Sequence, residues 1–97
     1  MIACYILYSP KLESFYIGMT QESIELRLLK HNQSFYGLRY TSKTDDWELY
    51  FVIPCNSIEQ AINIERHIKK MKSKKYIENL KMYPEISQKL LEKFKSN

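Results

Sequence analysis

Ile2-Ala3-Cys4-Tyr5-Ile6-Leu7-Tyr8 is an unbroken apolar run of strand formers, and Phe15-Tyr16-Ile17-Gly18 resumes the same character after Ser9-Pro10-Lys11-Leu12-Glu13-Ser14. A run without polar alternation is the pattern of a strand covered on both faces. The Ser/Pro-containing insert reads as a turn, so the two runs are expected to pair as an antiparallel hairpin. Side chains alternate along a strand, so any register that pairs residues whose numbers sum to 21 or 23 puts Tyr5 and Tyr16 on one face.

The chain continues from this hairpin in helical steps. Thr20 is expected to cap a first helix that carries Glu22 in its opening turn and runs to about Asn32. Periodicity is lost from Gln33 to Lys43, which reads as a loop. Trp47 to Ile53 is a third strand, ended by Pro54. Ser57-Ile58-Glu59-Gln60 matches a capping box for a second helix to about Met71. Ser73 starts a short third helix, and Pro84 suits the first turn of a last one whose Ile86, Leu90, Leu91 and Phe94 share a stripe. The expected architecture is an α+β domain of order β-β-α-β-α-α-α, a three-stranded antiparallel sheet flanked by helices. So small a sheet needs helical cover. Residues 1–82 form the main unit, with residues 83–97 a C-terminal amphipathic helix packed on it or extending it.

Composition narrows the function classes. With 97 residues, 44% hydrophobic and 27% charged, the chain is one globular domain's worth and lies far from the signature of disorder. Fifteen Lys and Arg against eleven Asp and Glu leave a net charge of +4, which suits an anionic partner such as nucleic acid. Cys4 and Cys55 stand outside any C-x-x-C or Cys/His cluster, so they are expected as buried free thiols. No apolar stretch approaches the roughly 18 residues that span a bilayer, and no basic leader precedes the first strand. A cytoplasmic location without membrane contact is expected.

Polar residues on apolar faces mark where chemistry is expected. On the first helix Ile24, Arg27, Leu28 and His31 fall at i, i+3, i+4 and i+7, so a cation and an imidazole share a face with two aliphatics. A snorkelling Arg27 and a rim-packed His31 would give the same pattern, and Leu26 and Leu29 blur which face is inward. On the second helix Ala61, Ile64, Ile68 and Met71 make the core stripe, with Glu65 at its edge. Glu65 is either a ligand or an exposed partner of Lys69 at i+4. His67 points elsewhere and reads as surface.

These residues converge on a family. Cys4-Tyr5-Ile6 and Phe15-Tyr16-Ile17-Gly18, spaced as they are, resemble the paired motifs of the GIY-YIG nucleases. Arg27-Leu28-Leu29-Lys30-His31-Asn32 resembles the family's first helix. Arg39-Tyr40-Thr41, Trp47-Glu48-Leu49 and Glu65 followed by Ile68-Lys69-Lys70 continue the likeness to small stand-alone bacterial members, from about Ile2 to Leu80. Ala3-Cys4-Tyr5 lacks the glycine and isoleucine of the first motif and keeps its tyrosine.

The resemblance implies a metal-dependent endonuclease acting on DNA, directed by structure rather than by sequence, with RNA left open as substrate. Tyr5, Tyr16, Arg27, His31 and Glu65 would be the catalytic set, and Glu65 would hold one Mg²⁺, or Mn²⁺, that keeps several waters. Arg27 would contact the phosphoryl oxygens. Tyr5 is the expected base, with Tyr16 and His31 open alternatives, since an unperturbed phenol titrates near pH 10 and needs cationic neighbours. Gly18, Lys30, Arg39, Tyr40, Lys43, Lys69, Lys70 and Asn79 would bind nucleic acid, joined by the other cations between Arg66 and Lys75. The expected state is a monomer or weak homodimer, with a protein partner as one source of specificity. The rival is a binding module that kept the fold and lost turnover.

Overall fold

The computed structural model describes residues 1–33 and 43–95. Its element order is β1 (Ala3–Ser9), β2 (Ser14–Thr20), α1 (Ile24–Asn32), β3 (Glu48–Pro54), α2 (Ile58–Met71), α3 (Lys74–Met82) and α4 (Pro84–Lys93). The three strands form one antiparallel sheet in the order β2-β1-β3. This is the α+β architecture expected from the sequence.

The apolar first run is the central strand, which explains why it lacks alternation: both of its faces are covered. Cys4 and Ile6 face one layer with Ile53, Ile64, Ile68, Ile77, Leu80 and Leu90. Ala3, Tyr5 and Leu7 face the other, with Ile24 and Trp47. Helix α1 therefore covers the Tyr5 face, and α2, with α3 and α4 behind it, covers the Cys4 face. Ile86, Leu91 and Phe94 of α4 pack against that second layer, as their stripe predicts.

Local details correct several expectations. Thr20 is the last residue of β2, where its Oγ1 accepts from Glu22 N at 2.9 Å. Ser23 caps α1 instead, accepting from Leu26 N at 3.2 Å. The strand outlasts its apolar run because Thr20 pairs with Ala3 across the sheet. Ser57 does cap α2, but Gln60 reaches back to Asn56 N at 2.7 Å rather than to Ser57 N, while its Nε2 donates to Leu91 O at 2.8 Å. Gln60 thus joins a cap to the anchoring of α4. Met71, placed in the core stripe by periodicity, is exposed at the C-terminus of α2, where the chain turns through left-handed Lys72. His67 is half-buried rather than surface. Its Nε2 bonds Tyr76 Oη at 3.2 Å and its ring stacks obliquely near Phe94.

Candidate active site

The hairpin register pairs Tyr5 with Gly18 and Leu7 with Tyr16, so both tyrosines project to the α1 face. Their ring centroids lie 6.4 Å apart. The inward stripe of α1 proves to be Ile24, Arg27, Leu28 and His31, with Leu26 and Leu29 exposed, and it delivers Arg27 and His31 onto the tyrosines. Tyr5 Oη and His31 Nε2 share a 2.8 Å hydrogen bond, and Arg27 Nη2 donates to Tyr5 Oη at 3.1 Å. A guanidinium can only donate, so Tyr5 Oη accepts from Arg27, while the direction of its bond with His31 follows the imidazole tautomer. The Tyr16 ring stands 5.0 Å from that of His31, and the Arg27 guanidinium lies 5.7 Å from the Tyr5 centroid.

Four residues from three elements thus form one cluster, graded in exposure. Tyr5 is 0% and His31 1% exposed, whereas Tyr16 and Arg27 are half-buried. Gly18 makes the cluster fit: a Cβ there would stand 2.6 Å from Tyr5 Oη and 2.7 Å from Cζ. Its place is beneath the Tyr5 ring, and it is buried.

Three residues to which sequence reasoning gave no role at the site, Glu22, Asn32 and Asp46, hold this arrangement. Glu22, just ahead of α1, binds Lys30 Nζ at 2.7 Å and lies 3.9 Å from Arg27 Nη1. The hydrogen bond from Lys30 holds the Glu22 carboxyl below its usual range, against some desolvation. Spacings of five and eight residues are not helix-pair signals, which is why the pattern hid it. Asn32 donates to Trp47 O at 2.9 Å and accepts from Trp47 N at 2.7 Å, tying the end of α1 to the approach to β3. Asp46 accepts from Ser9 Oγ at 2.6 Å, Thr44 Oγ1 at 2.5 Å and Lys11 N at 2.9 Å, fastening the hairpin turn to the same approach.

The remaining sequence-predicted residues are carried by α2, α3 and the approach to β3, or lie outside the described residues. Glu65 is carried by α2, whose Ile64 and Ile68 pack on the Cys4 layer, and its Oε1 accepts from Lys69 Nζ at 2.8 Å. Burial pushes the Cys4 thiol far up, with smaller upward contributions from Cys55 and Glu65. Lys69 and Lys70 are exposed on α2, and Lys43 is exposed ahead of β3. Asn79 is half-buried on α3, which packs against α2, α4 and β3. Arg39 and Tyr40 lie outside the described residues.

Compared with known protein families, the chain matches the GIY-YIG catalytic domain over residues 1–78. It belongs to the GIY-YIG family. The match ends within α3, so α4 lies beyond the stretch that defines the GIY-YIG domain. No curated protein and no solved structure matches the chain. GIY-YIG domains are nuclease domains that act on nucleic acid, and this chain's clustered tyrosines, arginine and histidine stand where its paired motifs meet its first helix.

Among the described residues no three His, Cys, Asp or Glu side chains gather to hold a metal. The carboxylate expected from the sequence to be a ligand, that of Glu65, would have to hold an ion largely by itself. This suits Mg²⁺, which keeps most of its waters and takes one or two carboxylates together with substrate phosphate. Glu65 would have to exchange Lys69, whose side chain is 50% exposed and so free to swing away.

Proposed function

We propose that this protein is a metal-dependent endonuclease that hydrolyses phosphodiester bonds in DNA, selecting substrate by structure rather than sequence. The observation that carries the reading is the Arg27–Tyr5–His31 hydrogen-bonded chain with Tyr16 beside it, in a chain of the GIY-YIG family. Folding does not require these polar groups to converge beside a central strand.

Phosphodiester cleavage needs an oriented water, neutralisation of the phosphorane charge and a stabilised leaving oxygen. Arg27, fixed by Tyr5, offers its fork to the phosphoryl oxygens. Because Tyr5 is buried and Tyr16 is not, Tyr16 is assigned the contact with the attacking water. Tyr5, with His31 behind it, sets the orientation of Arg27. Glu65 would hold Mg²⁺, which when bound supplies Lewis-acid charge at the phosphate and leaving oxygens. Lys30 would first release Glu22 to reach a phosphate. The other proposed contacts, Arg39, Tyr40, Lys43, Lys69, Lys70 and Asn79, fix position rather than read bases. The protein would act in the cytoplasm as a monomer or weak homodimer.

The test is cleavage of single-stranded, duplex, nicked and branched DNA and of RNA, with Mg²⁺, Mn²⁺ or chelator, by the native chain, Glu65→Ala and Arg27→Lys. The expected result is metal-dependent cutting lost in Glu65→Ala and reduced about 100-fold or more in Arg27→Lys, the cost typical of removing a transition-state donor. Binding with steep salt dependence but no cutting by any preparation would establish the rival, a nucleic-acid-binding module, for which the Glu65–Lys69 pair is the structural argument.

A further inference from the structure

The sheet has two edge strands, and they are finished differently. β3 carries Glu48 and Pro54 at its ends and a bulge at Tyr50, where the register shifts between Ile6–Phe51 and Leu7–Leu49. Charge, proline and bulge are the usual devices that stop an edge from pairing. β2, Ser-Phe-Tyr-Ile-Gly-Met-Thr, has no charged residue and no proline, and its register with β1 is unbroken. Among the described residues its outer edge has no strand partner.

Beside that edge lies a pocket of about 230 Å³ between β2 and the α2–α3 corner. Its floor is Phe15, Ile17, Ile68 and Ile77, and its rim carries Lys69, Lys72 and Lys74 with no acidic residue. Neighbouring pockets are lined by Glu13 and Glu78 as well as lysine, so the single sign of charge is particular to this one. Phe15 and Ile17 belong to the Cys4 face of the sheet, opposite the tyrosine cluster. A strand added outside β2 would direct every second side chain onto this floor and rim.

We propose that the β2 edge and its pocket take an extended acidic peptide of a partner protein, which adds as a fourth strand and seats one apolar side chain on the Phe15–Ile77 floor. Main-chain pairing supplies affinity, and the side-chain pocket supplies selection. The rim lysines favour carboxylates flanking the apolar residue, two positions away on the same face, with Lys69 exchanging Glu65 and Lys74 the Glu13 carbonyl for them. A nucleic acid strand would meet the lysines and leave the apolar floor unfilled. A second copy of the chain would bring a like-charged rim against this one. The proposal goes beyond the nuclease reading and does not rest on it.

The experiment is fluorescence anisotropy of the full chain with a labelled peptide whose core is Glu-Thr-Leu-Thr-Glu, at physiological salt. Replacing the peptide's Leu by Ser should weaken binding about tenfold or more, the worth of burying a leucine side chain. N-methylating the peptide nitrogens that face the sheet should abolish it. Lys72→Glu should weaken it roughly fivefold, as loss of an exposed ion pair does, with an unchanged melting temperature to show that the variant folds. Equal binding of the Ser peptide would overturn the proposal, since charge alone would then explain the interaction. So would displacement of the peptide by duplex DNA with matching sensitivity to Lys72→Glu, which would assign the pocket to nucleic acid. A concentration-dependent dimer that excludes the peptide would assign the edge to a second copy.

Discussion

Gly18 shows how a single position can decide the shape of the cluster. It is buried under the Tyr5 phenol, and a methyl group there would lie within 2.7 Å of both Oη and Cζ. Gly18→Ala should therefore displace the Tyr5 ring from His31 and Arg27 and destabilise the fold by about 1–3 kcal/mol, the usual cost of overpacking. Urea denaturation with a cleavage assay checks both effects, and unchanged stability would mean that the ring has room to move. The tyrosines divide the work by exposure, so their hydroxyls should not be equivalent. Tyr16→Phe is expected to reduce cleavage by about 100-fold or more, the scale of lost proton transfer or water positioning. Tyr5→Phe should cost less in rate and more in stability, about 1–3 kcal/mol, because His31 and Arg27 each lose a buried partner. The opposite ranking in single-turnover rates would return the water contact to Tyr5. The Tyr5–Tyr16 face was legible in the sequence because strand alternation is local. The burial of one ring and not the other was not, since it depends on α1 lying over the sheet.

At the scale of elements, short polar links rather than long apolar contacts join the site's supports. Asp46 holds the β1–β2 turn to the start of β3 through Ser9, Lys11 and Thr44. Desolvation raises its carboxyl, but these hydrogen bonds and the Lys11 charge outweigh it and bring the pKa down to about 2 from 3.8. The folded pKa is below the unfolded one, so the unfolded chain binds more protons between them. The stability that Asp46 provides is complete above about pH 4 and is lost as pH falls toward 2. Thermal melts of the native chain should drop across that window, and Asp46→Ala should melt lower at pH 7 with a flatter acid limb. A parallel drop in both proteins would show that other carboxylates govern it. Nothing in Asp45-Asp46 as a sequence announced this task, because its partners at Ser9 and Lys11 are remote in the chain. The capping signals fared better: Ser57, Ser73 and Pro84 all mark helix starts, since caps act within one turn.

For the molecule as a whole, α4 raises the question of how much chain the fold needs. The family match ends at residue 78, yet Leu90 is buried, Ile86, Leu91 and Phe94 pack on the second layer, and Leu91 O receives the Gln60 amide. A chain ending at residue 83 should lose about 3–5 kcal/mol from those side chains, a large part of the 5–15 kcal/mol typical of a domain. Denaturant unfolding of the two lengths measures this, and coincident midpoints would mean that α4 is an accessory. The sequence by itself determined the element order, the antiparallel hairpin, the shared face of Tyr5 and Tyr16, and the common helical face of Arg27 and His31, though not that this face points inward. Strand alternation, helical periodicity and caps act over a few residues, so these features can be read from neighbours in the chain. Only the tertiary structure decided that β1 is central, that Glu22 pairs with Lys30, that Asn32 clasps Trp47, and that, of its two readings, Glu65 takes the pair with Lys69. The first three depend on which layers pack together, and layer packing is set by contacts between segments far apart in sequence.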